Sequence, residues 1–221
     1  MTTAVIGVGN IGGAIARHLA RGGEPVVLAA GDRSHADALA QELGGSARAA
    51  EVDDAIASAD VVVLAVWLDT IRELIGEDPS RFDGKVVVDP SNPIGFDDSG
   101  NVLRTLPEDQ SAASVVSSLL PPGSHYAKAF GSLSAASLAG AANRAPRPAV
   151  LFYAADDDQA QATVQRLITV AGFEPFQVGG VDQAGRIEVP GGDLHETGGL
   201  DGRLLELDEA RAAVSTTEAS R

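Results

Sequence analysis

The stretch Ala4-Val5-Ile6-Gly7-Val8-Gly9-Asn10-Ile11-Gly12-Gly13 decides the fold. Residues 4–6 form a short apolar run that reads as a buried strand. Ile11, Ile15 and Leu19 then recur at i, i+4 and i+8, which is one face of a helix. Between them Gly7, Gly9 and Gly12 match G-x-G-x-x-G, a pattern of little weight alone in a chain with 25 glycines. Set between a strand and a helix, it has a mechanism. One glycine makes a tight turn, a second lets a pyrophosphate approach the backbone, and a third lets the helix pack close to the strand. The helix N-terminus then offers free N–H groups and the positive end of its dipole to the phosphates. The competing reading is a glycine-rich turn without a ligand.

Outward from this unit, strand and helix patterns alternate. Strands are expected at 25–30, 60–66, 85–88, 126–130, 149–153 and 173–178. The run at 60–66 is apolar almost throughout, as in a parallel strand covered on both faces. Helical patterns occupy 35–43 and 53–59, the alanine-rich 133–142 separates two strands, and three more helical faces are marked by Ile71/Leu74/Ile75, Val115/Val116/Leu119/Leu120 and Val164/Leu167/Ile168/Ala171. This spacing predicts an α/β fold with a doubly wound, mainly parallel Rossmann sheet over residues 1–178. A small glycine-rich C-terminal module and tail, 179–221, follows. The polar end, 214–221, is expected to fray.

Composition narrows the classes of partner. The formal net charge is −15, which disfavours nucleic acid and anionic membrane surfaces as general electrostatic partners. The absence of cysteine excludes disulfides, thiolate metal sites and a cysteine nucleophile. The four histidines, His18, His35, His125 and His195, are dispersed with no metal-ligand spacing, so no metal is expected; His18 is expected on the solvated face of the first helix. With no apolar stretch of transmembrane length and no signal core, a cytoplasmic protein is expected, with a homodimer as its assembly.

In such a sheet ligands sit beyond the carboxyl ends of the strands. At the second strand's end an acid would serve the 2′-OH of NAD. There stand Gly31, Asp32, Arg33 and Ser34. The room at Gly31, the guanidinium and the hydroxyl suit a 2′-phosphate and favour NADP over NAD, while Asp32 argues for NAD. A solvated loop capping the next helix also accounts for Arg33 and Ser34. Ala65, Val66 and Trp67 stand at the end of the third strand pattern, where a nicotinamide ribose would pass; a rim or core aromatic is the other reading of Trp67. In Asp89-Pro90-Ser91-Asn92-Pro93 two prolines bracket Ser91 and Asn92, so a rigid turn presents an amide there. Tyr126 and Lys128 lack the Tyr-x-x-x-Lys spacing of short-chain dehydrogenases, and no G-x-S-x-G elbow occurs. No catalytic side chain stands out. Hydride transfer between two rings needs stacking more than acid–base groups, so this pattern fits a cofactor-to-cofactor reductase better than a carbonyl reductase.

The Gly-x-Gly-Asn-Ile-Gly turn, Arg33-Ser34, Val66-Trp67, the Asp-Pro-Ser-Asn-Pro turn and Lys128-Ala129-Phe130 together resemble the NADP oxidoreductases dependent on coenzyme F420, a deazaflavin. The resemblance runs from about residue 4 to 178. It implies hydride transfer between NADPH and a deazaflavin or related small-molecule acceptor stacked over the nicotinamide. By position, Gly7, Gly9, Asn10, Ile11 and Gly12 would serve the pyrophosphate, and Gly31, Asp32, Arg33 and Ser34 the ribose with its 2′-phosphate. Ala65, Val66 and Trp67 would line the ribose and nicotinamide. Asn92, Pro93, Trp67, Phe130 and Gly131 would border the acceptor, and Asn92 and Pro93 would also contact the cofactor. Gly31-Asp32 and Gly131 depart from the residues common in that family. Residues 179–202, with Arg186, Glu188, Asp193 and His195, would shape the acceptor pocket or form a surface loop. The rival readings are a non-catalytic NADP(H)-binding redox sensor and an NADPH-dependent reductase of a small imine, flavin or ferric acceptor.

Overall fold

Four apolar runs, each four residues long and buried on both faces, make the centre of the sheet: β1 (Thr3–Ile6), β2 (Val26–Ala29), β4 (Val61–Leu64) and β5 (Val86–Asp89). A computed structural model describes residues 1–97 and 99–218. Between these strands lie α1 (Asn10–Arg21), α2 (Arg33–Leu43), the edge strand β3 (Ala47–Ala49), α3 (Val52–Ser58) and α4 (Leu68–Glu77). A separate hairpin, β6 (Ile94–Phe96) and β7 (Val102–Arg104), leads to α5 (Ala112–Leu119) and β8 (His125–Ala129). The chain continues through α6 (Ala135–Gly140), β9 (Val150–Ala155), α7 (Asp158–Val170) and β10 (Glu174–Gln177). A 3-10 turn (Val181–Ile187) and α8 (Leu207–Glu218) complete it.

The eight-stranded sheet has the order β10-β9-β8-β5-β4-β1-β2-β3, with the helices packed on its two faces, so the α/β doubly wound Rossmann architecture holds. All pairs are parallel except β8 with β9. The chain enters β9 at the edge where β8 ends, and β10 runs in the same direction as β9.

Period-two alternation sorts each strand between two cores. Val5, Leu28, Val63 and Val88 face α1, α2, α6 and α7; Ile6, Val27, Leu64 and Val87 face α3, α4, α5 and α8. The second core also takes Ile187, Leu194, Leu200 and Leu205. Among the described residues no helix is long and apolar enough to cross a membrane.

Two expectations are corrected here. The end of the chain does not fray from residue 214: α8 runs to Glu218, and Val214 packs against the second core; residues 219–221 lie outside the described residues. Nor is His18 solvated. It is 5 % exposed, its Nε2 bonds the Leu138 carbonyl oxygen at 2.8 Å, and its ring meets Phe173 edge-on. The tight seat of α6 against α1 turns this face of the helix inward.

Burial holds the His18 pKa below its ordinary value, with the positive charges of Arg21 and Arg17 acting in the same direction. The native state thus resists a proton that the unfolded chain accepts below pH 6.5, the ordinary histidine value. Stability is full above that pH and is lost as pH falls. His18→Gln keeps a donor for Leu138 and removes the titration. Urea unfolding at pH 7.5 and 5.5 should show a smaller acid loss in the variant, by up to about one proton of linkage. An unchanged pH slope refutes the assignment.

Candidate functional site

The glycine turn after β1 combines two very close contacts with one open position. A Cβ on Gly12 would lie 1.9 Å from the Gly7 carbonyl oxygen, and one on Gly7 would lie 2.4 Å from that of Ala65. Gly7 also has φ of +92°, which a side chain disfavours. These two glycines let α1 start directly above β1 and β4. A Cβ on Gly9, by contrast, would meet nothing within 4 Å. Gly9 is the N-cap of α1, no side chain caps that helix, and its first turn holds no acid. The orphan N–H groups and the dipole are therefore available to an anion approaching over Gly9. Several other helix starts are closed: Asp32 caps α2, Asp157 caps α7, and buried glutamates reach α5 and α6, while α3 and α4 have no side-chain cap but carry Asp53, Asp54 and Asp69 in their first turns. The donors and the open cradle fit a dinucleotide pyrophosphate.

Beside this turn a cleft of 440 Å³ opens at the carboxyl ends of β1, β4, β5 and β8, within the range of small-molecule sites (~300–1,000 Å³). Gly9, Asn10 and Ile11 form one side, Ala65, Val66 and Trp67 another, and Asn92 borders it from the turn after β5. Trp67 is 57 % exposed at the rim, edge-on to Phe96 of the hairpin at 6.0 Å. The structure thus brings these residues together with Ser91 and His195, which the sequence also singled out. Ile94, Leu133 and Ser134 also line the cleft and were not anticipated, and Val189 and Thr197 come from the 179–202 segment that was expected either to shape the acceptor pocket or to form a surface loop. Of the first three only Ser134 had a signal, as a serine three residues before Ser137 at a helix start.

Three expected acceptor contacts are corrected. Phe130 takes a left-handed conformation (φ 65°) that returns its ring wholly to the core. Gly131 is packed under Pro90, whose carbonyl oxygen would be 2.4 Å from a Cβ there. Pro93 is buried outside the cleft lining, and its carbonyl accepts the Thr105 N–H at 2.9 Å. Phe130 and Gly131 shape the floor from below, and Pro93 anchors the hairpin.

The 31–34 turn lies outside this cleft, on the far side of β1 at the end of β2. Asp32 accepts the Ser34 amide at 2.9 Å and its hydroxyl at 2.7 Å, so Asp32 and Ser34 serve first as a helix cap. Those bonds lower the Asp32 pKa. Arg33 is exposed, paired with Glu51 at 2.7 Å and Asp37 at 3.3 Å. Exposed pairs of this kind are worth little and exchange readily for a more highly charged partner.

Beneath the cleft lies a buried polar cluster. Lys128 and Glu188 are each 1 % exposed and Asp89 is fully buried. Lys128 Nζ lies 3.1 Å from Asp89 Oδ2 and 3.3 Å from Glu188 Oε1, and donates to the Ser91 carbonyl. Tyr126 donates to Asp89 Oδ2 at 2.7 Å, and the Ser91 amide to Oδ1 at 2.7 Å. Burial pulls the Lys128 pKa down, but the two carboxylates outweigh it and hold it above the ordinary value. Burial and the Asp89 charge push Tyr126 well up. His195 also lines the cleft, but its Nδ1 accepts the Thr197 amide at 3.1 Å, and the ring also bonds the Gly131 backbone. Burial lowers its pKa, and the ring is engaged on both sides. Among the described residues the cleft lining therefore shows no free acid–base group. A larger groove, 910 Å³, lies apart from the glycine turn. Its Arg186 is paired with Asp193, and its Arg104 is held by the carbonyls of Pro107, Gln110 and Pro190.

The comparisons come from known families and structures. The family model described as NADP oxidoreductase coenzyme F420-dependent matches residues 2–93. The hypothetical protein SMa0349 from Sinorhizobium meliloti is similar over 93 % of this chain and 95 % of its own, at 31 % identity and a TM-score of 0.79. A candidate F420-dependent NADP-reductase from Arthrobacter sp. FB24 is 22 % identical, with a TM-score of 0.71 over 83 % of this chain and 87 % of its own. The reductive aminase from Aspergillus terreus, in complex with NADPH and ethyl levulinate, is 17 % identical with a TM-score of 0.59, covering 82 % of this chain and 55 % of its own. At such identities the last two speak for the fold alone. A search of curated proteins finds no match.

The two kinds of glycine should separate on mutation. Gly9→Val should fold normally and lose dinucleotide binding in calorimetric titration, because its side chain occupies open space above the turn. Gly12→Ala should lower the thermal midpoint, since its methyl group meets backbone at 1.9 Å. Normal stability in the Gly12 variant together with normal binding in the Gly9 variant would contradict this assignment.

Proposed function

We propose, because the chain belongs to the family of coenzyme F420-dependent NADP oxidoreductases, that it transfers hydride between NADP(H) and a planar ring acceptor of the deazaflavin class. The observation that carries this reading is the pairing of an open, uncapped helix N-terminus with an apolar strand-end cleft. Residues 9–12 would hold the pyrophosphate and Arg33 the 2′-phosphate, with Ala65 and Val66 beside the ribose. When bound, NADPH supplies the hydride. The chain's task is then to orient and to exclude water. Trp67 and Ile94 offer flat and branched apolar surfaces to a ring, and the turn held by Asp89 and Lys128 keeps Asn92 at the edge of the cleft. A carbonyl or imine acceptor would need a proton delivered at the reacting atom, and the engaged His195 does not offer one. A ring acceptor gains its hydride on carbon and can take its proton at a remote ring nitrogen from water.

Stopped-flow reaction with stereospecifically deuterated NADPH tests this, using coenzyme F420, flavins, a ferric chelate and small imines as acceptors. Label should appear in the reduced deazaflavin from one face of the nicotinamide only. Tight NADPH binding with no label passed to any acceptor would make the chain a redox-state binding protein instead.

Arg33 is the group that should distinguish the two dinucleotides. Arg33→Ala should weaken NADPH by about 10–100-fold, the scale of a lost charged hydrogen bond, and leave NADH within about twofold. Equal losses for both, measured by fluorescence titration, would remove Arg33 from the 2′-phosphate.

A further inference from the structure

The C-terminal segment meets the cleft through a closed ring of polar contacts. Glu188 Oε1 lies 3.3 Å from Lys128 Nζ, and Lys128 donates to the carbonyl of Ser91. The next residue, Asn92, accepts the Val189 amide on Oδ1 at 2.9 Å, and Val189 follows Glu188 in the chain. Asn92 Nδ2 also donates to the Gly131 carbonyl at 3.1 Å. Glu188 is itself anchored to the N-terminus of α5, accepting the amides of Ala112 at 2.8 Å and Ala113 at 2.9 Å. One carboxylate thus ties together α5, the strand end of β8, the turn after β5 and the segment that brings Val189, His195 and Thr197 to the cleft.

From this ring we infer that Glu188 is a positioning residue for hydride transfer, fixing the acceptor half of the cleft while leaving the dinucleotide half untouched. The inference rests on the function proposed above. Three points support it. First, Ser91, Asn92 and Val189, which the ring holds, all line the cleft. Second, none of its contacts reaches residues 9–12 or 31–34, where the dinucleotide phosphates would lie. Third, buried charges are a poor way to gain stability, because well-packed apolar residues of similar volume commonly do as well. What the charges add here is direction: the Glu188 carboxylate meets two amides and one ammonium, and the bonds made by Asn92 then define where Val189 sits.

The test compares Glu188→Gln with Asn92→Ala in the full-length chain. The second variant cuts the same ring at a partly exposed amide and leaves the buried charges intact, so it serves if the first fails to fold. Three quantities are read: NADPH affinity by calorimetry, single-turnover hydride transfer to coenzyme F420, and deuterium exchange of the backbone amides at 189–197. The expected result is affinity within about twofold, transfer slowed by about tenfold or more, and faster exchange in that segment. Affinity falling in step with transfer would show general loosening and overturn the inference, as would unchanged transfer and exchange. If the unmodified chain passes hydride to no acceptor, the functional reading fails and the inference, which rests on it, is overturned with it; the exchange measurement then reports only whether the ring orders residues 189–197.

Discussion

The contact on which the rest depends is the one between two residues without side chains. Gly12 lies so near the Gly7 carbonyl that a single added carbon would overlap it, and Gly7 is packed against the Ala65 carbonyl almost as tightly. Helix α1 can therefore begin at the strand edge itself, with its first turn of N–H groups level with the ends of β1 and β4. Everything at that edge is arranged around this start. The cleft opens beside it, the turn after β5 faces it, and the order β5-β4-β1-β2 puts the strand ends on either side of it. This is the switch point at which doubly wound sheets accept ligands.

Electrostatics then distinguish helix starts that carry carboxylates from the start of α1, which has neither a side-chain cap nor an acid in its first turn. In a chain carrying net charge −15, free carboxylates are abundant, and several are used to close helix N-termini. Asp32 and Asp157 do so locally, while Glu188 and Glu196 arrive from far along the chain to close α5 and α6. Glu196 accepts the Ser134 amide at 2.7 Å and the Ser137 hydroxyl at 2.6 Å. No such group reaches α1. A strongly acidic protein can hold a polyphosphate under these conditions because the donors are backbone groups held at short range, where the local dipole outweighs distant screened charge.

What could be read from the residues followed the range of the interactions. The glycine turn and the apolar strands were legible because their signals are local: spacing within ten residues, and burial on both faces. The hairpin of Ile94–Phe96 and Val102–Arg104 was not, because three-residue strands with exposed Phe96, Val102 and Leu103 show no core-facing alternation. Helix α8 hid in small and polar residues, its packing resting on a few side chains such as Ala210 and Val214. At Phe130 the strand was visible but its end was not, since a left-handed phenylalanine is uncommon and has no sequence mark. Asp89 and Lys128 stand 39 positions apart, and Glu188 lies 60 beyond Lys128. Their meeting depends on the order of strands, which no local pattern encodes.

The reversed pair β9 and β10 has a consequence in time. Because β9 runs against β8, the chain leaves the sheet at the edge opposite the cleft and must climb back across the second core before it reaches Glu188. The glycine turn comes before Val189, His195 and Thr197 in the chain, so it is synthesised ahead of the last wall of the cleft. A nascent chain thus carries the glycine turn before it carries the residues that close the other side of the cleft. Vectorial synthesis fixes the order in which the two halves of the site come into being.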